Sequence, residues 1–179
     1  MPLIKGGRFV DDPWRSLGDD EAVPQDATHL IVSHARWVKE HDTLSLMPAA
    51  LGLRLPNTVQ PASLGADLDR FELVALSFPR FTDGRAYSQA RLLRSRLGFR
   101  GEIRAEGDVL RDQLLFMKRC GIDAFAVGER AIAEGWLQAF RDFDVFYQPA
   151  EDGAVSLLHR RLAARADVAD PRTVTTVVR

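Results

Sequence analysis

Cysteine is almost missing from this chain of 179 residues: Cys120 stands alone. A single thiol excludes an internal disulfide, a Cys₄ zinc site and a self-contained iron–sulfur cluster. Its place before Gly121, at the end of an expected helix, marks it as a small buried apolar residue. Long hydrophobic runs are missing too. No stretch approaches the roughly 20 apolar residues that span a bilayer, and MPLIKGGRFVDD has no apolar core ahead of a cleavage site. The expectation is a cytoplasmic protein with no membrane attachment. Net charge is nearly absent at −1, which argues against a general nucleic-acid or membrane-surface binder. There is no G-x-G-x-x-G, no Walker loop and no G-x-S-x-G elbow. The histidines (29, 34, 41 and 159) are scattered, and His34 and His41, two helical turns apart, do not make a metal site. Ser88 has no histidine near it in sequence, so nothing supports it as a nucleophile.

What is present suffices for one domain with a real core, at 46% hydrophobic residues. The near-zero charge hides an asymmetry. From Arg80 to Arg104 seven arginines (80, 85, 91, 94, 96, 100, 104) stand against two acids, Asp83 and Glu102, a local excess of five positive charges. Charge runs usually form solvated faces. This excess contains no lysine, however, and arginine is the residue suited to bidentate oxyanion contacts.

Apolar periodicity organises the chain. LIKGGRFV reads as a small N-terminal hairpin around Gly-Gly, with a polar lead-in after it, so that residues 1–25 look peripheral. HLIVS (29–33) and LGLRLP (51–56) read as strands, ARWVKEH as a helix, and SLGADLDR as a short helix with Ser63 as N-cap. FELVALSF (71–78) is a strand buried on both faces and ended by Pro79. Gly84–Leu97 is a helix with Ala86, Ala90, Leu93 and Leu97 on one face and Gly98 closing it. GEIRA (101–105), DAFAV (123–127) and DVFYQP (144–149) are further strands. Between them lie helices, one capped by Asp108 and one over Ala131–Phe140. Strands and helices in this alternation predict an α/β fold with a mostly parallel sheet of βα units, either open doubly wound or a partial barrel. Residues 1–163 form one domain, and the tail from 164 to 179 has little to bury.

In parallel sheets ligands gather beyond the carboxyl ends of the strands, so the three strand-to-helix junctions after residues 78, 105 and 127 should share one rim. The first carries Arg80, Thr82, Asp83, Gly84 and Arg85; the second Glu106, Gly107, Asp108, Arg111 and Asp112; the third Gly128, Glu129 and Arg130. Thr82, Asp83 and Asp108 suit N-caps, and Glu129 suits a helix's first turn. Capping leaves the arginines unexplained, because positive charge in a first turn opposes the helix dipole. Arg85 and Arg111 need a partner, either nearby acids or a bound anion. Tyr87, Arg91 and Arg94 form a line down the first helix. In GEIRA, Glu102 and Arg104 share a face that a central parallel strand would keep apolar. Solvent, an ion-pair network and a ligand cleft all fit, and an ion-pair network with ligand contact fits best.

Three long motifs carry a resemblance. F-P-x-F-T-D-G-R-x-Y-S matches at Phe78, Pro79, Phe81–Arg85, Tyr87 and Ser88. G-E-x-R-A-x-G-D-V-x-x-D-Q matches at Gly101, Glu102, Arg104, Ala105, Gly107–Val109, Asp112 and Gln113. R-C-G-x-D-x-F matches at Arg119–Gly121, Asp123 and Phe125. Together they resemble the bacterial domain-of-unknown-function family 934. Members of that family are often labelled probable oxidoreductases and are encoded beside assimilatory sulfite-reduction genes. The resemblance implies a place in sulfur metabolism, but it supplies no catalytic residues and no cofactor.

Two readings fit these residues, with a minor third. In the first, Arg80, Arg85, Arg104 and Arg111 hold a sulfur or phosphate oxyanion on the rim. Asp83 or Asp108 handles a proton there, and Thr82, Gly84, Tyr87, Ser88, Glu102 and Asp112 support the site. In the second, the protein is a non-catalytic accessory whose basic helix (Arg91, Arg94, Arg96) docks on sulfite reductase or its electron donor. In the third, Trp14, Trp37 or Tyr87 stacks on a flavin.

Overall fold

Two glycines in the left-handed region, Gly6 (φ 60°) and Gly7 (φ 73°), turn the chain between β1 (Leu3–Lys5) and β2 (Arg8–Val10). A two-residue hairpin needs that conformation at both positions. The computed structural model describes residues 1–24 and 26–169, and in it the hairpin is one edge of an eight-stranded sheet ordered β2-β1-β8-β7-β6-β5-β4-β3. The other strands are β3 (Arg15–Ser16), β4 (His29–Ser33), β5 (Ala50–Leu55), β6 (Phe71–Phe78), β7 (Glu102–Gly107) and β8 (Ala124–Ala126). Neighbours from β3 to β8 are parallel, whereas β1 pairs antiparallel with both β8 and β2.

Each parallel strand lies beside its neighbour in sequence, so the order never reverses. A doubly wound sheet needs such a reversal; this one is instead a curled half-barrel. Its connections carry α1 (His34–Lys39), α2 (His41–Ser45), α3 (Arg85–Arg91), α4 (Leu114–Arg119), α5 (Arg130–Ala133) and several tight 3₁₀ turns. The outer face of the sheet buries Leu53, Val74, Leu76, Ile103 and Phe125 against Ala90, Leu93 and Met117 of these helices. The inner face buries Ile31, Leu73 and Ala75 beneath Trp14. Residues 11–14 run from β2 to β3, from one edge of the sheet to the other, and carry Trp14 onto that inner face. Leu73 to Leu76 of β6 are therefore buried on both faces, as its apolar run predicts, while Glu72 at its start is exposed. Gly52 permits the close packing inside, since a Cβ there would lie 3.0 Å from Ile31 Cγ1 and 3.1 Å from Leu73 Cδ2.

Several expectations change. The segment 144–149 is not a strand; it makes one isolated bridge, Phe146 to Ser156. The free edge of β8 that a further strand would need is already occupied by β1. The hairpin expected to be peripheral thus completes the sheet, with Leu3 and Ile4 fully enclosed. The helix after β6 widens into a π turn over Leu92–Arg96. The extra residue per turn rotates the helix beyond it, and Leu97, expected on the buried face, is 38% exposed. Gly135 (φ 63°) splits the expected helix 131–140 into α5 and a 3₁₀ turn, Trp136–Arg141. Ser63 does not cap its helix: that turn starts at Pro61, behind Gln60, and the Ser63 hydroxyl donates to the Gln60 carbonyl. A helix α6 (Leu157–Ala169) runs into the segment expected as a tail; residues 170–179 lie outside the described residues.

Candidate functional site

Because β4 to β8 are parallel, their carboxyl ends (Ser33, Leu55, Phe78, Gly107, Ala126) form one rim, and the three charged junctions do lie along it. Side chains stitch consecutive loops together. The Asn57 amide beyond β5 donates to the Asp83 carboxylate beyond β6 at 2.8 Å. Asp108, beyond β7, accepts from the Phe81 backbone N–H at 2.9 Å, and the Gln113 amide donates to the Phe81 carbonyl at 3.0 Å. Asp108 therefore holds the preceding junction and caps no helix. The chain after it stays extended through Leu110 before a 3₁₀ turn, Arg111–Gln113, leads into α4.

The four candidate anion-binding arginines separate sharply. Arg85 grips Asp83 through Nε (3.0 Å) and Nη2 (2.6 Å) while more than half exposed. Arg111 reaches Asp142 at 3.4 Å. In both cases an acid of the chain supplies the partner that the helix dipole does not. Arg104 is 2% exposed and bonded within the chain: Nε donates to Glu102, and Nη1 and Nη2 form a fork on Asp12 at 2.7 and 3.0 Å. Glu102 also takes Lys5 at 2.6 Å. This inner-face cluster balances two cations against two anions and engages all three Arg104 nitrogens, away from the rim loops. Arg80 is exposed and has no ion pair among the described residues.

Asp83 does not suit proton transfer. Hydrogen bonds from Arg85, above all, and from Asn57 hold its carboxyl well below the usual carboxylate range, so it is ionised at neutral pH. Its Oδ1 also accepts from the Arg85 N–H at 3.2 Å, which replaces the cap that Gly84, the residue before α3, cannot provide. Thr82, Ser88 and Asp112 are exposed. Tyr87 packs edge-on against Phe78 and tilted against Phe116, at 5.2 and 5.0 Å between centroids.

Burial, and then the nearby Cys120 and Asp112, push the Tyr87 phenol up to about 12. Its neutral form is the one the fold favours. The stability that preference contributes is complete below the ordinary tyrosine value of about 10 and is lost as pH rises towards 12. The difference in absorbance at 295 nm between wild type and Tyr87→Phe should therefore titrate with a midpoint near 12; a midpoint near 10 would contradict the packing described.

Each of the three flavin-stacking candidates packs against other rings of the chain. Trp37 is core, edge-on to Phe71 and His41; Trp14 covers the inner face and meets His29 edge-on; Tyr87 lies between two phenylalanines. The line of basic residues on α3 also changes. Arg94 donates to the carbonyls of Gly121, Phe99 and Gly101 and pairs with Asp123, so only Arg91 and Arg96 of that trio face outward.

A further pair at the mouth of the half-barrel was not anticipated. Arg54, on the inner face of β5, reaches across β6 to Glu106 of β7 at 2.8 Å and to the Ser16 hydroxyl at 2.8 Å. Beside it, Ser33 donates to Asp19 at 2.6 Å. The available signal was a charge inside the apolar strand LGLRLP, the same anomaly that drew attention to Arg104. No group of three or more metal-ligating side chains occurs among the described residues, nor does any helix long and apolar enough to cross a membrane.

Residues 52–158, more than half of the chain, match the family model for a bacterial protein of unknown function, DUF934. The chain belongs to that family. No curated protein and no solved structure matches.

Proposed function

We propose that this DUF934 protein binds a small sulfur oxyanion at the carboxyl-end mouth of its half-barrel and serves assimilatory sulfur metabolism. One observation carries the reading. Arg54 and Arg85 are each held rigidly by a carboxylate through Nε, are 35% and 57% exposed, and keep Nη1 unbonded among the described residues. A guanidinium fixed by one acid while presenting a free N–H is preorganised to receive a further oxygen. Arg80 on the neighbouring loop adds an unpaired positive charge. The sulfur setting comes from the family resemblance, and sulfite, sulfate and thiosulfate are the ligands this donor set would hold. Thermal unfolding tests the reading. At low ionic strength at least one of these anions should raise the wild-type melting temperature, and Arg54→Gln and Arg85→Ala should each reduce the response. A panel that leaves the wild type unmoved ends the proposal.

A second reading rests on a different observation: Arg91, Arg96 and Arg100 are all exposed and carry no ion pair among the described residues. Such a face suits an acidic protein partner, with sulfite reductase as the candidate. A complex that forms at low salt, dissociates at high salt and is lost in Arg91→Glu/Arg96→Glu supports it; no complex with the wild type at low salt rejects it.

A further inference from the structure

A sizeable cavity lies away from the rim. It occupies about 760 Å³ at the opposite end of the sheet, below the amino ends of β7 and β8 and beside the Gly6–Gly7 turn. That volume falls within the range of roughly 300–1,000 Å³ typical of small-molecule sites. Phe99, Phe125 and Phe140 line it; Phe99 and Phe125 are core residues, and Phe125 meets Phe140 at 5.4 Å between centroids. The architecture keeps the space clear. Arg94 runs flat along its side because Gly121 has no side chain; a Cβ there would be 2.5 Å from Arg94 Cγ and 3.3 Å from Glu151 Cβ.

Charge accounting specifies what the cavity would take. Three of its carboxylates are already neutralised within the chain: Glu102 by Lys5, Asp123 by Arg94 and Asp152 by Arg119. Among the described residues that leaves Lys118 and Arg100 unpaired, together with one unpaired acid, Glu151. Lys118 stands over the Phe140 ring at 6.0 Å, which sets its ammonium at the border between the apolar wall and the open side. An occupant that satisfies all of this has an apolar ring system for the phenylalanines, an anionic group for Lys118 and Arg100, and a hydroxyl or amino donor for Glu151.

We infer that this amino-end cavity binds a ring-bearing organic anion of nucleoside monophosphate size. The site is separate from the oxyanion mouth and does not depend on it. Titration calorimetry with adenosine 5′-monophosphate and flavin mononucleotide as probes, and with adenosine, riboflavin and inorganic phosphate as fragments, tests the assignment. At least one ring-bearing phosphate should bind saturably and ten-fold or more tighter than either of its fragments. Lys118→Ala and Arg100→Ala, both exposed positions that the fold tolerates, should each weaken that binding several-fold and leave binding of the uncharged fragment unchanged. Arg85→Ala at the mouth should leave the titration unaltered, which separates this site from the oxyanion site. Absence of saturable binding by both probes overturns the assignment. So does phosphate binding as tightly as the nucleotides, or indifference to both substitutions.

Discussion

Arg104→Ala will destabilise the protein by about 3–5 kcal/mol, the range seen when one partner is removed from a buried ion pair. At roughly 2–4 °C per kcal/mol for a chain of this size, the melting temperature should fall by on the order of 10 °C. Arg104 is the largest fully enclosed side chain among the described residues, and its three nitrogens are engaged by Glu102 and Asp12. Removing it leaves a void on the inner face and two carboxylates with only Lys5 between them. Asp12 also anchors the crossing segment, where it accepts from the Trp14 backbone N–H at 3.1 Å; losing the fork loosens the chain that covers Ile31, Leu73 and Ala75. Arg85→Ala, which breaks an equally short pair on the exposed rim, should cost far less, because solvent screens that pair. Chemical denaturation of the two variants side by side checks this. Equal losses would mean that the inner face is wetter than its packing indicates.

That contrast shows what the sequence could and could not disclose. The βα alternation is plain in the apolar runs, and β4, β5 and β6 lie where HLIVS, LGLRLP and FELVALSF place them. Closure is not legible. Nothing local in LIKGGRFV says that β1 will occupy the far edge of β8, and that long-range pairing is what displaces 144–149 from the sheet. The arginines behave the same way. The helix dipole requires partners for Arg85 and Arg111, and Asp83 and Asp142 are those partners. Arg104 pairs with its strand neighbour Glu102, but its second partner, Asp12, lies 92 residues away in a segment that reads as a polar lead-in. An alternating pattern reports which side of a strand a residue takes. It does not report whether that side faces water, a ligand or another part of the chain. Arg54 occupies a strand position as anomalous as that of Arg104, and the pattern alone does not distinguish the mouth from the enclosed inner face.

Arg94→Ala should rank next in effect, at about 2–4 kcal/mol, because what it strands is mainly backbone. Nε donates to the Gly121 carbonyl at 3.0 Å, and Nη1 to the carbonyls of Phe99 and Gly101 at 2.7 and 2.8 Å. The loops that enter β7 and β8 are thus tied to the π turn of the preceding helix by one planar group. Asp123 joins the same knot, pairing with Arg94 while accepting from the Ile103 N–H at 2.9 Å. Arg94→Lys should recover little, since one ammonium cannot direct donors to three carbonyls and a carboxylate along a fixed plane. Gly121→Ala should be costly too, because its φ of 96° disfavours any Cβ and the added atom would strike Arg94. The two sites share one contact, so their combined loss should fall short of the sum by at least about 0.5 kcal/mol. Urea unfolding of both single variants and the double variant measures that coupling directly. Strict additivity would show that Arg94 leaves the Gly121 loop in solution and is free, after all, to meet a partner alongside Arg91 and Arg96.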